Sequence, residues 1–337
     1  MLRNRLLQII VILLLVGIGL HYGLGIRMSR EDIHISARAE PLACIGGERI
    51  GEACSAGLPL TNSLVMTIVV DLLLVLVIIF GARNMKLVPR GFQNLVEWVI
   101  EGFYNFAIGI DRPNIGKFFP LPATIFLFFL VANMLALIPM VGSVGECVPA
   151  AAEATAAAPA AASPSILSGL PGYCGAGNVV IPFLRAPAAD LNVTFAFALV
   201  AVFTIEFFGV QALGLSYFTR FFNLKEGGLG FFVSIIELIS EISRIVSFAF
   251  RIFGNIFGGE VILIVMSFLL GYVLPLPFYG FEVFVAFIQS VIFAVLTLVF
   301  MSIAVVSHGA HDEHGPTEGP HGETHPEAHG ETQASPA

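Results

Sequence analysis

The chain has 337 residues, of which 57% are hydrophobic and only 12% charged, and its mean hydropathy is +0.89. Soluble domains carry about 25% charged residues, so this composition argues against an ordinary water-soluble domain and points to a bilayer. The formal charge of −8 resides largely in a tail that holds Asp312, Glu313, Glu318, Glu323, Glu327 and Glu331 without a Lys or Arg. The remainder is close to neutral and offers no surface for nucleic acid.

A membrane-crossing helix needs about 20 mostly apolar residues. The first candidate lies in residues 1–25, where Arg3 and Arg5 precede LLQIIVILLLVGIGL. This pattern fits a signal peptide or a retained first helix; the lack of a small-residue cleavage site beside it favours retention. Residues 26–62 then form an external segment. A membrane domain over 63–307 follows, with apolar stretches at 63–82, 119–141, 192–218 and 229–307. The last stretch exceeds two crossings and is interrupted near Gly271, Pro275 and Pro277, which predicts a helical hairpin. Residues 91–110, with Glu97, Trp98 and Glu101, read as an amphipathic helix at the interface. The expected fold is an all-α polytopic membrane protein of five to six membrane helices, ending in a long tilted hairpin.

Basic residues in the loops set the orientation. Arg83, Lys86, Arg90, Arg112 and Lys117 mark 83–118 as cytoplasmic, and Arg220 and Lys225 do the same for 219–228. The Ala-rich loop 142–190 carries only Arg185 and is placed outside. Arg27, Arg30, Arg38 and Arg49 weaken the contrast, but all four cysteines, Cys44, Cys54, Cys147 and Cys174, fall in the two segments assigned outside. Disulfides form on that side of a membrane. The preferred pairing is Cys44 with Cys54 and Cys147 with Cys174, one of three that four cysteines allow. Residues 308–337, with His308, His311, His314, His321, His325 and His329, match no defined metal spacing and read as a disordered cytoplasmic tail.

Ionisable groups inside a bilayer are costly and mark ion or substrate paths by default. The hairpin nevertheless contains Glu237, Glu241, Arg244, Arg251, Glu260 and Glu282. Glu237, Ser240, Arg244, Ser247, Arg251 and Asn255 recur at three- and four-residue steps and share one helix face. Glu260, nine residues beyond Arg251, points to the opposite face. Glu282 and Gln289 share a face of the return helix. With a turn centred near residue 270, Arg251 would stand level with Gln289, and Glu260 with Glu282. Arg244 also fits a side chain snorkelling from a helix end, and Glu237 and Glu241 fit a headgroup layer. Arg251, followed by long apolar runs, has no such explanation; its guanidinium stays protonated and needs a carboxylate.

At these residues the sequence resembles subunit a of F-type ATP synthases. The resemblance runs through SRIVSFAFRIFGNIFGGEVILI, then FIQSVIFAVLTLVFMSIA from Gln289, with support from TNSLVMTIVVDLLL, VPRGFQNLVEWVIEGF, ATIFLFFLVANMLALIP with Asn133, and LRAPAADLNVTFAFAL with Arg185, Asp190 and Asn192. It implies a subunit packed against a ring of c subunits, beside the b-subunit stalk, in a bacterial plasma membrane. Two proton half-channels would meet at Arg251, which would face the ring carboxylate, with Gln289 orienting it. Glu260, Glu282 and Asn255, joined by Asp190 and Asn192, would belong to the outer half-channel; Glu237, Ser240, Arg244 and Ser247 would line the inner exit. Selectivity for protons over sodium would sit largely in the ring. No cofactor and no metal site is expected. Two departures stand out: Ala136 replaces an acid found in many relatives, and both Glu260 and Glu282 stand where some members have a Glu and a His. Glu206 receives no role.

A secondary transporter binding an anion at Arg251 is the competing reading. It predicts repeated halves and paired broken helices, neither of which the sequence shows. A metal-using membrane enzyme would need His or Cys within the apolar stretches of the membrane domain, where none occurs. No GxxxxGK[ST] phosphate loop is present, so ATP chemistry would belong to partner subunits.

Overall fold

The computed structural model describes residues 38–47, 49–50, 53–54, 57–82, 91–138, 141–142, 144–149, 178–214, 217, 227–270 and 275–305. The N-terminal apolar stretch, the loop basics Arg83, Lys86, Arg90, Arg220 and Lys225, Cys174, the side chain of Cys147 and the tail 308–337 lie outside them. Short strands come first: β1 (Pro41–Ile45) pairs antiparallel with β4 (Leu58–Thr61), and between them β2 (Arg49–Ile50) pairs with β3 (Ala53–Cys54). A disulfide joins Cys44 to Cys54 across this hairpin, with Cα atoms 5.7 Å apart.

The helices follow as α1 (Asn62–Ala82), α2 (Phe92–Ile108), the single turn α3 (Ile115–Phe118), α4 (Pro120–Ala136), α5 (Leu191–Leu213), α6 (Gly227–Leu270) and α7 (Pro275–Ala304). The antiparallel pair β5 (Gly145–Pro149) and β6 (Asn178–Pro182) and a 3-10 turn at Pro187–Ala189 connect α4 to α5. Local chemistry fixes these boundaries. Pro120 and Pro275 open α4 and α7, where a missing N–H costs nothing. Asp190 caps α5, its carboxylate accepting from Asn192 N at 2.9 Å. Gly214, at φ 63°, ends α5 in a conformation that other residues adopt with difficulty.

Among the described residues four helices are long and apolar enough to cross a membrane, Asn62–Gly81, Leu191–Leu213, Gly230–Ser267 and Pro275–Ala304; the apolar α4 is shorter, at 17 residues. At 1.5 Å per residue α6 is about 66 Å long, roughly twice the hydrocarbon thickness, so a bilayer can hold it only at a steep tilt. The outward side of α1 shows Leu72, Ile78 and Phe80 to the surroundings, an arrangement that lipid accommodates and water does not.

Inside the bundle, aromatic and very small residues alternate. Phe129 of α4, Phe248 of α6 and Phe293 of α7 are buried, with Phe293 5.4 Å from Phe129 and 5.1 Å from Phe248 between ring centroids. Ala198 and Ala201 of α5, Ala249 of α6 and Ala294 of α7 are fully enclosed. Without a hydrophobic drive between helices in lipid, such small residues let backbones approach and gain dispersion contacts.

Polar groups stitch one end of the bundle. Asn62 accepts from Glu40 N through Oδ1 at 3.2 Å, and its Nδ2 donates to Pro182 O at 3.2 Å. Ser63 Oγ donates to Asp190 at 2.5 Å, tying α1 to the cap of α5. The first turns of α1 and α5 thus share one buried hydrogen-bond network with the N-terminal hairpin.

Candidate functional site

Helix α6 runs to Leu270 and α7 begins at Pro275, and contacts pass between the two. Asn255 Nδ2 donates to Gln289 Oε1 at 2.6 Å, and the Arg244 guanidinium lies 4.3 Å from the Phe300 ring centroid. Both pairs are equidistant from residue 272. This corrects the alignment expected from the sequence: Gln289 stands level with Asn255 rather than with Arg251. The cause is the start of α7 at Pro275, which moves the hairpin centre past residue 270.

Arg251 is half-buried on α6. Its Nη2 reaches Ser247 Oγ at 3.5 Å, the limit of a hydrogen bond. Among the described residues no acid forms an ion pair with it. Ser240, Ser247 and Asn255 are exposed along the same side of α6, with Glu237 half-buried among them. The polar stripe read from the sequence is therefore on the outer side of the hairpin for most of its length. Behind it, Phe248, Ala249, Ile252 and Ile256 are buried against the bundle.

Arg244 departs from that stripe. Its Nη1 donates to Glu241 Oε2 at 2.7 Å, and both side chains are largely enclosed. Sequence reading placed Arg244 on the path but gave Glu241 no part in it. The three-residue spacing, which puts an acid and a base on one helix face, was the available signal.

Towards the stitched end, Glu260 meets Arg185 at 3.8 Å. Arg185 also donates from Nη1 to the Arg38 carbonyl at 2.7 Å, linking Glu260 to the residues just before the N-terminal hairpin. Glu282 is buried and lies against Gly259; a methyl group there would fall on its carboxyl group. Glu260 and Glu282 are near enough for their charges to act on each other. Each carboxylate thus has a different neighbour, Arg185 for Glu260 and a bare backbone for Glu282. Arg185 as the partner of Glu260 was not foreseen, although it is the sole base in loop 142–190.

Asp190 and Asn192 lie at the start of α5, where Asp190 accepts from Ser63, from Asn192 N and, at 3.2 Å, from Asn192 Nδ2. The geometry gives them a capping role whatever else they do. Among the described residues, neither side-chain polar atom of buried Asn133 has a hydrogen-bond partner, and nor does Nε2 of buried Gln289. Glu206 accepts from the Tyr217 hydroxyl at 2.8 Å. Among the described residues no cluster of three or more His, Cys, Asp or Glu could hold a metal ion.

Comparison with known proteins identifies the family. The family profile described as ATP synthase A chain matches residues 63–302. ATP synthase subunit a of Campylobacter jejuni subsp. doylei is 30% identical over 248 residues, covering 72% of this chain and 89% of that one. Its counterpart in Campylobacter fetus subsp. fetus is 31% identical over 257 residues, covering 74% and 92%. The subunit a of a Sulfurihydrogenibium species is 29% identical over 251 residues, covering 73% and 98%. With the profile covering most of its length and its apolar helices making it a multi-pass membrane protein, the chain belongs to the ATP synthase A chain family.

Proposed function

We propose that the chain is the proton-translocating subunit a of a rotary F-type ATP synthase in a bacterial plasma membrane, working against a c-subunit ring and held by the b-subunit stalk. The observation that carries this reading is Arg251: a permanent cation within an apolar helix, beside an exposed polar stripe, with no acid paired to it among the described residues. A carboxylate presented by a partner in the membrane would supply the missing counter-charge.

In this mechanism a proton from the outer side passes Glu260 and Glu282 and protonates a ring carboxylate. The neutral acid then turns into lipid. After a near-complete revolution it meets the inner path, lined by Glu237, Ser240 and Ser247, and releases its proton there. The ionised carboxylate is stabilised by Arg251, whose fixed charge repels a proton that would cross directly between the two paths. Asn255 holds Gln289 one turn from Arg251, so Gln289 acts on the polar level just outside the cation. Asp190 and Asn192 support the outer path by fixing the first turn of α5.

The test is ATP-driven proton pumping in membrane vesicles carrying Arg251→Ala beside wild type, with assembly verified by immunoblot. Loss of pumping in an assembled complex is the expected result. Pumping at the wild-type rate would refute the role of Arg251.

A further inference from the structure

Arg244 poses a difficulty that its place on the polar stripe does not resolve. It lies seven residues from Arg251, two helical turns along the same face, so a bare guanidinium there would put a second permanent cation about 10 Å from the first. In a low-dielectric setting, two such charges act strongly on any proton moving between them. The side chain is instead turned inward. Glu241 holds Nη1 at 2.7 Å, and the guanidinium carbon sits over the ring of Phe300 on α7, 4.3 Å from its centroid. Only 9% of the Glu241 side chain and 15% of that of Arg244 are exposed. The remaining acid of this part of α6 is Glu237, one turn before Glu241. The facing turns of α7, from Ser290 to Ala304, contribute no charged side chain.

We propose that Glu241 is a positioning residue of the inner exit: by pairing with Arg244 it cancels that cation and holds it against Phe300, away from the protons that leave past Glu237, Ser240 and Ser247. The assignment rests on the proton-path reading above. Glu241 itself touches neither the ring nor the transferred proton. Its contribution is to keep Arg251 the one uncompensated cation of the path among the described residues. A Gln at this position would keep the shape and one hydrogen bond while releasing the charge. The guanidinium would then be drawn towards the exposed stripe, where water and the acids of the path can solvate it.

The experiment compares ATP-driven proton pumping in membrane vesicles bearing the assembled complex with wild-type subunit, Glu241→Gln, Glu241→Asp, the double variant Glu241→Gln/Arg244→Gln, and Arg251→Ala. Glu241→Gln is expected to slow pumping several-fold at normal assembly. Glu241→Asp is expected to restore most of the rate, because it retains the counter-charge. The double variant is expected to outpace Glu241→Gln, because the released cation is gone; a merely structural salt bridge would make it no better. Wild-type pumping by Glu241→Gln, or a double variant no faster than the single one, would overturn the proposal while leaving the role of Arg251 intact. Wild-type pumping by Arg251→Ala would instead overturn the proton-path reading itself.

Discussion

Gly259 offers a direct way to move Glu282 without altering its chemistry. In Gly259→Ala the added methyl overlaps the Glu282 carboxyl group, and ordinary contact between carbon and its neighbours needs about 3.5 Å. The carboxyl must therefore shift by about 1 Å or more. The side chain is buried, so it cannot simply swing into open space. Forcing it off its rotamer costs about 0.5–1.5 kcal/mol. Replacing a mid-helix glycine by alanine returns about 0.5–1 kcal/mol. These effects nearly cancel, so the fold and assembly should survive while the carboxylate is displaced. Reacting groups misplaced by about 1 Å can lose roughly a hundredfold in rate. Proton pumping in Gly259→Ala vesicles is therefore expected to fall at least tenfold, at unchanged subunit levels. Gly102→Ala, where the new methyl meets open space on α2, should pump normally. Wild-type pumping by Gly259→Ala would show that the position of Glu282 does not limit the path, and would refute the reasoning.

Two further outcomes follow from the stitched end of the bundle. Asp190→Ala removes the cap of α5 and strands the Ser63 hydroxyl; it should destabilise by about 1–3 kcal/mol, read as a lower melting midpoint of the purified complex, while Asp190→Asn should retain most of the stability. Replacing Cys44 and Cys54 together by Ser opens a loop of ten-residue separation, worth about 2–3 kcal/mol in the chain-entropy account. Proteolysis within residues 38–61 should become faster, and pumping should continue, because α1 remains tied through Asn62 and Ser63.

Much of the helical architecture was legible because lipid imposes simple rules. Length and hydropathy mark a helix when every backbone group must be satisfied within it, and α1, α5, α6 and α7 fall close to the stretches read from the sequence. Element ends were less legible: 119–141 shortened to α4, ending at Ala136, and 192–218 to α5, ending at Leu213. The polar stripe of α6 was legible because helical periodicity is a local property. Partners across space were not. The start of α7 at Pro275 decides which residues of the hairpin stand level, and an error of two residues in the turn centre moved Gln289 from Arg251 to Asn255. Arg185 meets Glu260 from 75 positions away, through a connection whose path no periodicity encodes. Glu241 was hidden for a different reason: acid three residues before a base is common on any helix, and only burial distinguishes this pair from a solvated one.

The division of α6 into a bare edge and a packed back also has a mechanical meaning. Ser240, Ser247 and Asn255 are uncovered, whereas Phe248, Ala249, Ile252 and Ile256 are wedged into the bundle. Any sideways load applied to the bare edge is passed through these residues to α5 and α7, into rings and methyl groups packed with little free volume. Such a backing has low compliance. Under the proposed mechanism α6 would serve as the hard shell of a bearing, with its stiffness supplied by the residues buried behind its bare edge.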